Sequence, residues 1–406
     1  MTDTFEDLFA REMPKLMNCV HCGLCLEHCP TYRLTGDESN SPRGRLAIWR
    51  ALAEKRIDVS AETDFYTDDC VGCLACQTVC PANVPYGDLL YEARRNRVAN
   101  GKPVHGLLRL AGSAVQHRTW FNVLNAPVRA LRRIGVPLHR FLFAGNPSVT
   151  QSTADYAARI MQQLRPDGPT VALFTGCLME GVFREINFAT VRVLAANNVR
   201  IVIPEAQGCC GALLEHAGLA GKDALDDANR AAFDQLDVDC VITNAAGCGL
   251  ALGHALTAPT RDLTSFLNEL DLRTGRPLPT DHLYYDIPCH LYHGQQIKDA
   301  PARVFEAIGS DWSLAPMADR CCGSGGTYNV TNAENAELII SEKSAFLSDA
   351  KHAHCTLVTA NHVCMMQWHS AISRAGLRSR VSVQHLVQAL DQAYDRAGVY
   401  GESMKA

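Results

Sequence analysis

The fold class predicted from the sequence is a mixed α+β multidomain chain, with a small helical unit in front of two tandem α/β units. Three observations predict it. Eight of the eighteen cysteines fall in two matching runs within the first 80 residues, and most of the other ten recur in order at an offset near 112 residues. A third observation is the alternation of short apolar strands with helical stretches through the rest of the chain.

The 406 residues leave room for several domains. A hydrophobic content of 47% with 20% charged residues is ordinary for a folded soluble protein, and a net charge of −5 is too small to point to nucleic acid as a partner. Met1 to Phe9 carries Asp3, Glu6 and Asp7 and no basic segment, so it does not read as a secretory signal. No apolar run of about 18 residues predicts a transmembrane helix. A disulfide framework suits a short secreted chain; a long chain without an export signal, its cysteines grouped in repeated motifs, fits metal ligation in a reducing cytoplasm better.

The front unit comes first. Its runs are Cys19-x2-Cys22-x2-Cys25-x3-Cys29-Pro30 and Cys70-x2-Cys73-x2-Cys76-x3-Cys80-Pro81, the spacing of bacterial two-cluster ferredoxins. Three thiolates close in sequence wrap one corner of a cubane, and the fourth, followed by Pro, leaves the loop for a helix. In such ferredoxins the fourth Cys ligates the other cluster. The expected sets are therefore Cys19, Cys22, Cys25 and Cys80 on one [4Fe–4S] cluster, and Cys70, Cys73, Cys76 and Cys29 on the other. Zinc ribbons need neither the third Cys nor the Cys-Pro step. Between the runs, Ser41-Pro42-Arg43-Gly44-Arg45 leads into a helical stretch from Leu46 to Lys55. Arg43 and Arg45 read equally as a solvated helix start and as charges that offset a thiolate-ligated cluster.

The two rear units follow. The first carries Cys177, Cys209, Cys210 and Cys248; the second carries Cys289, Cys321, Cys322 and Cys364. The first three positions agree at an offset of 112, the last at 116, as duplicated domains with one short insertion would. In the first unit Val171–Thr175, Ile201–Ile203 and Cys240–Thr243 read as strands and Val182–Ala196 as a helix. In the second, Leu283–Tyr285 and Thr356–Thr359 read as strands, with a helix near Ala300–Ile308. The paired cysteines sit at or after strand ends, where ligands of parallel sheets bind. One further metal centre per unit, or one shared between them, is the expectation; a redox-active or structural thiol cluster is the alternative. Cys240 and Cys355, each at a strand start, read as core residues. His290, His293 and His362 read as donors to a cluster ligand or as packed loop groups.

With both kinds of motif in one chain, the sequence resembles the iron–sulfur subunit of glycolate oxidase (glycolate dehydrogenase) over nearly its whole length. The resemblance rests on Cys19-Val-His-Cys-Gly23 leading to Cys29-Pro-Thr-Tyr32; on Gly36-Asp-Glu38 with Pro42-Arg-Gly-Arg45; on Gln207-Gly-Cys-Cys-Gly-Ala212 and Asn244-Ala-Ala-Gly-Cys-Gly249; and on Pro288-Cys-His-Leu291, His293-Gly-Gln295 and Cys321-Cys-Gly-Ser-Gly-Gly-Thr-Tyr328. The rear units resemble the cysteine-rich "CCG" domains shared with heterodisulfide reductase. The resemblance implies a membrane-associated complex in which a separate subunit, carrying FAD, oxidises a 2-hydroxy acid, glycolate to glyoxylate. This chain would take the electrons towards a quinone or another carrier. One departure stands out: the heterodisulfide reductase pattern ends each unit with Cys-x2-Cys, and here Ala245 and Asn361 replace the earlier Cys. Four thiols per unit still suffice for a four-iron centre. The alternative function is a subunit that itself reduces a disulfide or quinone at its cysteine-rich units.

The expected limits are 1–102 for the two-cluster ferredoxin-type domain, 103–165 for a basic helical connector, and 166–275 and 276–400 for the two cysteine-rich domains. Residues 103–150 hold Arg109, Arg118, Arg129, Arg132, Arg133 and Arg140 with no acid, interleaved with Trp120, Phe121, Phe141 and Phe143. Such a stretch suits an anionic membrane surface; packing against the protein's own domains or the flavin subunit is the stronger reading. The expected location is cytoplasmic, with peripheral contact at the inner face of the membrane left open. Neither a Gly-x-Gly-x-x-Gly fingerprint nor a Walker loop appears, and no side-chain constellation suits abstraction of a hydroxy-acid proton, so no catalytic residue is expected on this chain.

Overall fold

Ser41 opens the first large helix in the way its sequence promises. Its Oγ accepts from Gly44 N at 2.9 Å, Pro42 takes the first helical position, and the helix runs Pro42–Ala53. The computed structural model describes residues 4–116, 151–349 and 351–401. In the front unit this helix packs with Phe5–Arg11, Met13–Met17, Ala61–Asp68 and Tyr86–Ala99 around an aromatic column. Phe9 stacks on Trp49 at 5.4 Å between ring centroids, Trp49 meets Tyr86 at 5.7 Å, and Trp49 Nε1 donates to Thr67 Oγ1 at 3.0 Å.

Of the two Cys-Pro steps, one enters a helix as expected: Cys29 caps Pro30–Thr35. The other does not. After Cys80-Pro81 the chain turns through Asn83, left-handed at φ 49°, and the next helix starts only at Tyr86, behind Pro85. A left-handed residue cannot continue a right-handed helix, so the turn delays it.

Each rear unit is a four-stranded, all-parallel sheet. In the first, β1 (Thr170–Phe174), β2 (Arg200–Val202), β3 (Cys240–Thr243) and β4 (Thr260–Asp262) lie in the order β2-β1-β3-β4. In the second, β5 (His282–Asp286), β6 (Trp312–Leu314), β7 (Cys355–Thr359) and β8 (Val381–His385) repeat it as β6-β5-β7-β8. The strand order reverses between β1 and β3, and again between β5 and β7, which marks a ligand crevice at their carboxyl ends. The three-residue edges β4 and β6, and β8, extend the sheets beyond the strands the sequence predicts.

The two units share one core. Helix Arg184–Ala196 of the first packs on helix Leu386–Arg396 of the second, where Arg192 pairs with both carboxylate oxygens of Asp391 at 2.8 and 2.6 Å. Helix Thr153–Leu164, in the stretch read as connector, also joins this layer through Tyr156 and Ile160. Arg109 lies on helix Gly106–Gln116. Arg118, Arg129, Arg132, Arg133 and Arg140 lie outside the described residues, and so does most of the stretch read as a membrane or partner surface. Among the described residues no helix is long and apolar enough to cross a membrane.

Candidate metal centres

Both cysteine loops of the front unit wrap by the same backbone trick. His21 and Gly23 in the first loop, and Gly72 and Leu74 in the second, hold positive φ at matching places between the cysteines, at 54°, 83°, 73° and 64°. For His21 and Leu74 this conformation carries a steric cost, offset only where the surroundings fix the loop. The result is two adjoining cavities. The outer one is lined by Cys19, Cys22, Cys25 and Cys80, with Cys76, Pro42, Arg43 and Tyr86 in its wall. The inner one is lined by Cys29, Cys70, Cys73 and Cys76, with Thr31, Arg45 and Tyr86. Thus Cys29 stands with the thiols of the second loop and Cys80 with those of the first.

The two differ in exposure. Cys22 is exposed and Cys19 and Cys25 half-buried, whereas Cys29, Cys70 and Cys73 are buried. Burial pushes the Cys25 thiol up to about 11 and raises Cys29 and Cys76 as well. Around the inner cavity Tyr86 Oη donates to Cys70 Sγ at 3.6 Å, and the Cys29 thiol lies 3.3 Å from Thr31 Oγ1.

Behind the inner cavity lies a chamber of about 160 Å³ where all three units meet. Its walls include all eight paired-motif cysteines of the rear units, together with Cys73, His216, His290 and His362. The thiols come from the expected places: Cys177 after β1 and Cys248 after β3, with their counterparts Cys289 after β5 and Cys364 after β7, flank the two crevices. Cys209 Sγ lies 3.3 Å from Cys177 Sγ, and Cys210 Sγ lies 3.2 Å from Cys248 Sγ. All eighteen cysteines are free thiols. The adjacent pairs behave alike in the two units. Hydrogen bonds from neighbouring thiols lower Cys210 and Cys322, while Cys209 and Cys321 are raised. Cys240 and Cys355 are buried at the first positions of β3 and β7, away from the chamber.

Contacts with no short-range sequence signal lock the front unit to the second rear unit. Asp69 Oδ1 accepts from Tyr328 Oη at 2.8 Å, Asn332 Nδ2 at 2.8 Å and Asn335 Nδ2 at 3.1 Å. The histidines act as packed loop donors and acceptors: His290 Nε2 lies 3.1 Å from Gly72 O, and His293 Nδ1 lies 3.1 Å from Thr78 Oγ1. Cys73 and Cys321 pack in one buried cluster. At one of the two positions where a fifth thiol is missing, Asn361 Nδ2 donates to Cys364 Sγ at 3.4 Å. His216, which the sequence reading passes over, stacks on His290 at 5.3 Å, and its Nδ1 is buried without a hydrogen-bond partner.

The donor chemistry fits iron and sulfide. Soft thiols line each front cavity with apolar walls and no carboxylate among the lining residues. Among the described residues, no three His, Cys, Asp or Glu side chains converge closely enough to hold a single metal ion.

Residues 15–84 match the family model described as a 4Fe-4S dicluster domain, and residues 171–253 and 283–368 each match the model described as a cysteine-rich domain. The chain is 34% identical to the probable glycolate oxidase iron-sulfur subunit of Bacillus subtilis strain 168, over 93% of this chain and 94% of that one. It is 29% identical to the glycolate oxidase iron-sulfur subunit of Escherichia coli K12, over 94% and 95%. It is also 24% identical to one chain of the dihydromethanophenazine:CoB–CoM heterodisulfide reductase of Methanosarcina barkeri, over 96% of each. A hypothetical protein from Helicobacter pylori, of known crystal structure, shares the fold with a TM-score of 0.54 at 10% identity, over 98% of this chain and 77% of that one.

Proposed function

Because the chain belongs to the family of glycolate oxidase iron–sulfur subunits, we propose that it is the electron-transfer subunit of a complex that oxidises glycolate to glyoxylate. The 2-hydroxy-acid chemistry lies on a separate subunit carrying FAD. Cys19, Cys22, Cys25 and Cys80 hold an outer [4Fe–4S] cluster, and Cys29, Cys70, Cys73 and Cys76 hold an inner one. One observation carries this reading: the two cavities exchange their fourth cysteines, as a two-cluster ferredoxin requires. When bound, the clusters supply one-electron transfer, which matches a flavin that collects two electrons from its substrate.

The protein's own part is spacing, insulation and order. The exposed Cys22 side gives a partner access to the outer site. The inner site is buried, and Cys73 belongs both to its wall and to that of the chamber. The rear thiols then carry one or two further centres, in two tandem domains near 166–275 and 276–400 behind a front domain of 1–102. The acceptor is a quinone or another carrier.

The chamber itself favours one second reading: eight rear thiols around an apolar space suit a subunit that reduces a disulfide or quinone there. EPR separates the two. Ordinary cubane signals that ignore added disulfide support the relay; a signal that changes with disulfide supports the alternative. The division of labour has its own test. The isolated chain should show iron–sulfur absorbance without glycolate oxidation, and glycolate oxidation by the chain alone with an artificial acceptor would refute it.

A further inference from the structure

Arg45 points inward from helix Pro42–Ala53 and is 1% exposed. Every group it donates to is neutral or a thiol. Nε donates to Tyr66 O at 2.6 Å. Nη1 donates to Asn40 O at 2.6 Å and reaches Cys29 Sγ at 4.0 Å. Nη2 donates to Asp69 O at 2.8 Å, Asn40 Oδ1 at 3.0 Å and Thr31 Oγ1 at 3.1 Å. Asp69 meets Arg45 through its backbone carbonyl, while its carboxylate is engaged by Tyr328, Asn332 and Asn335. A buried guanidinium without an ion-pair partner is costly. The side chain lines the inner cavity with Cys29, Cys70, Cys73 and Cys76, so a negative centre there would balance it.

Arg43, two residues earlier, makes the contrast. It lines the outer cavity, but its Nε and Nη2 pair with Glu38 Oε1 and Oε2 at 2.6 and 3.1 Å. Glu38 is held below its ordinary carboxylate range by that hydrogen bond. The outer site faces a neutralised pair; the inner site faces a guanidinium with no carboxylate in contact, the Asp69 carboxylate acting on it only through space, in a medium that screens charge poorly.

We propose that Arg45 is a positioning residue that serves as the counter-charge of the inner centre and sets its reduction potential above that of the outer centre. This rests on the two-cluster reading above. A nearby fixed cation favours the more negative, reduced form. With both centres bound, an electron shared between them would reside on the one held by Cys29, Cys70, Cys73 and Cys76 in preference to the one held by Cys19, Cys22, Cys25 and Cys80, with no bond made or broken.

The test is an EPR-monitored redox titration of the full chain, purified anaerobically. Cys29→Ser and Cys80→Ser assign the signals, since each alters or removes one centre. The first signal to appear on reduction of the wild type should be the one changed by Cys29→Ser. Arg45→Gln should move the one-electron distribution between the centres at least about tenfold towards the outer one, about 59 mV. Arg45→Lys should move it less, and Arg43→Gln should keep the order. The proposal fails if the signal changed by Cys80→Ser appears first or the two appear together. It also fails if Arg45→Gln keeps its iron and leaves the distribution unmoved. An Arg45→Gln chain that loses iron leaves the wild-type order to decide. A folded chain with no iron at all would instead overturn the two-cluster reading.

Discussion

The two rear units share a strand order and a thiol pattern but face different neighbours. The second is fastened to the front unit: Cys321 packs with Cys73 in one buried cluster, His290 and His293 reach Gly72 and Thr78, and Tyr328 reaches Asp69. The first turns Cys177 and Cys209 towards a separate cavity of about 400 Å³, walled by polar groups such as Gln116, Thr175, Glu180 and Gln207. The first also meets the front unit, where Arg94 Nη1 donates to His216 O at 3.2 Å and Tyr91 meets His216 at 5.4 Å between ring centroids; what sets it apart is that its thiols open on this second cavity as well, so the duplicated fold has an inward and an outward member joined by the shared chamber. The difference extends into the cores. The end of β1 carries Phe174; the matching end of β5 carries Asp286, paired with Lys343 at 2.5 Å and accepting from Trp368 Nε1 at 2.6 Å.

The largest effect on electron flow should come from cutting the inward member. With rear centres held as proposed, Cys321→Ser should slow reduction of the first unit's by at least about tenfold, about 1.4 kcal/mol in barrier. Cys209→Ser should leave reduction of the second unit unchanged. Rapid-freeze EPR after mixing with reductant reads both, and equal slowing by the two variants would break the inward–outward assignment.

The next effect is on stability. Lys343→Met leaves the Asp286 carboxylate buried without its cation and should cost about 3–5 kcal/mol in urea melts at neutral pH. The double variant Asp286→Phe with Lys343→Met copies the first unit's apolar strand end and should recover most of that loss. If it recovers nothing, the two strand ends are not interchangeable.

The smallest effect on stability depends on pH and has opposite signs in the two units. Asp262 ends β4 and caps the next helix; burial pushes its carboxyl up to about 6. The folded state then holds the proton more tightly than the unfolded chain, so the wild type loses up to about 2 kcal/mol relative to Asp262→Asn as pH rises from 4 through 6. His385, at the matching end of β8, also caps a helix, and burial pushes it down to about 3. Its neutral form is the folded one, so stability falls as pH drops below about 6.5, relative to His385→Asn. Urea melts from pH 4 to 7.5 test both, and parallel slopes would contradict the assignment.

What the sequence made legible follows from distance along the chain. The front thiols could be grouped because ligand spacing is a local property, and the rear ones because a duplication leaves a fixed offset. β4 and β6, with three residues each, are too short to show a period. Asp69 had no local signal, since its partners lie more than 250 residues away. Arg43 and Arg45 looked equivalent in sequence; packing separates them, one paired at the surface with Glu38 and one buried among carbonyls and a thiol.

Iron and acid-labile sulfide analysis of the full chain, purified anaerobically and paired with EPR after dithionite reduction, tests the whole scheme most directly. The scheme predicts at least about eight irons per chain and two cubane signals broadened by their mutual proximity. A natively folded chain that carries zinc, or no metal, at Cys19–Cys29 and Cys70–Cys80 would contradict it.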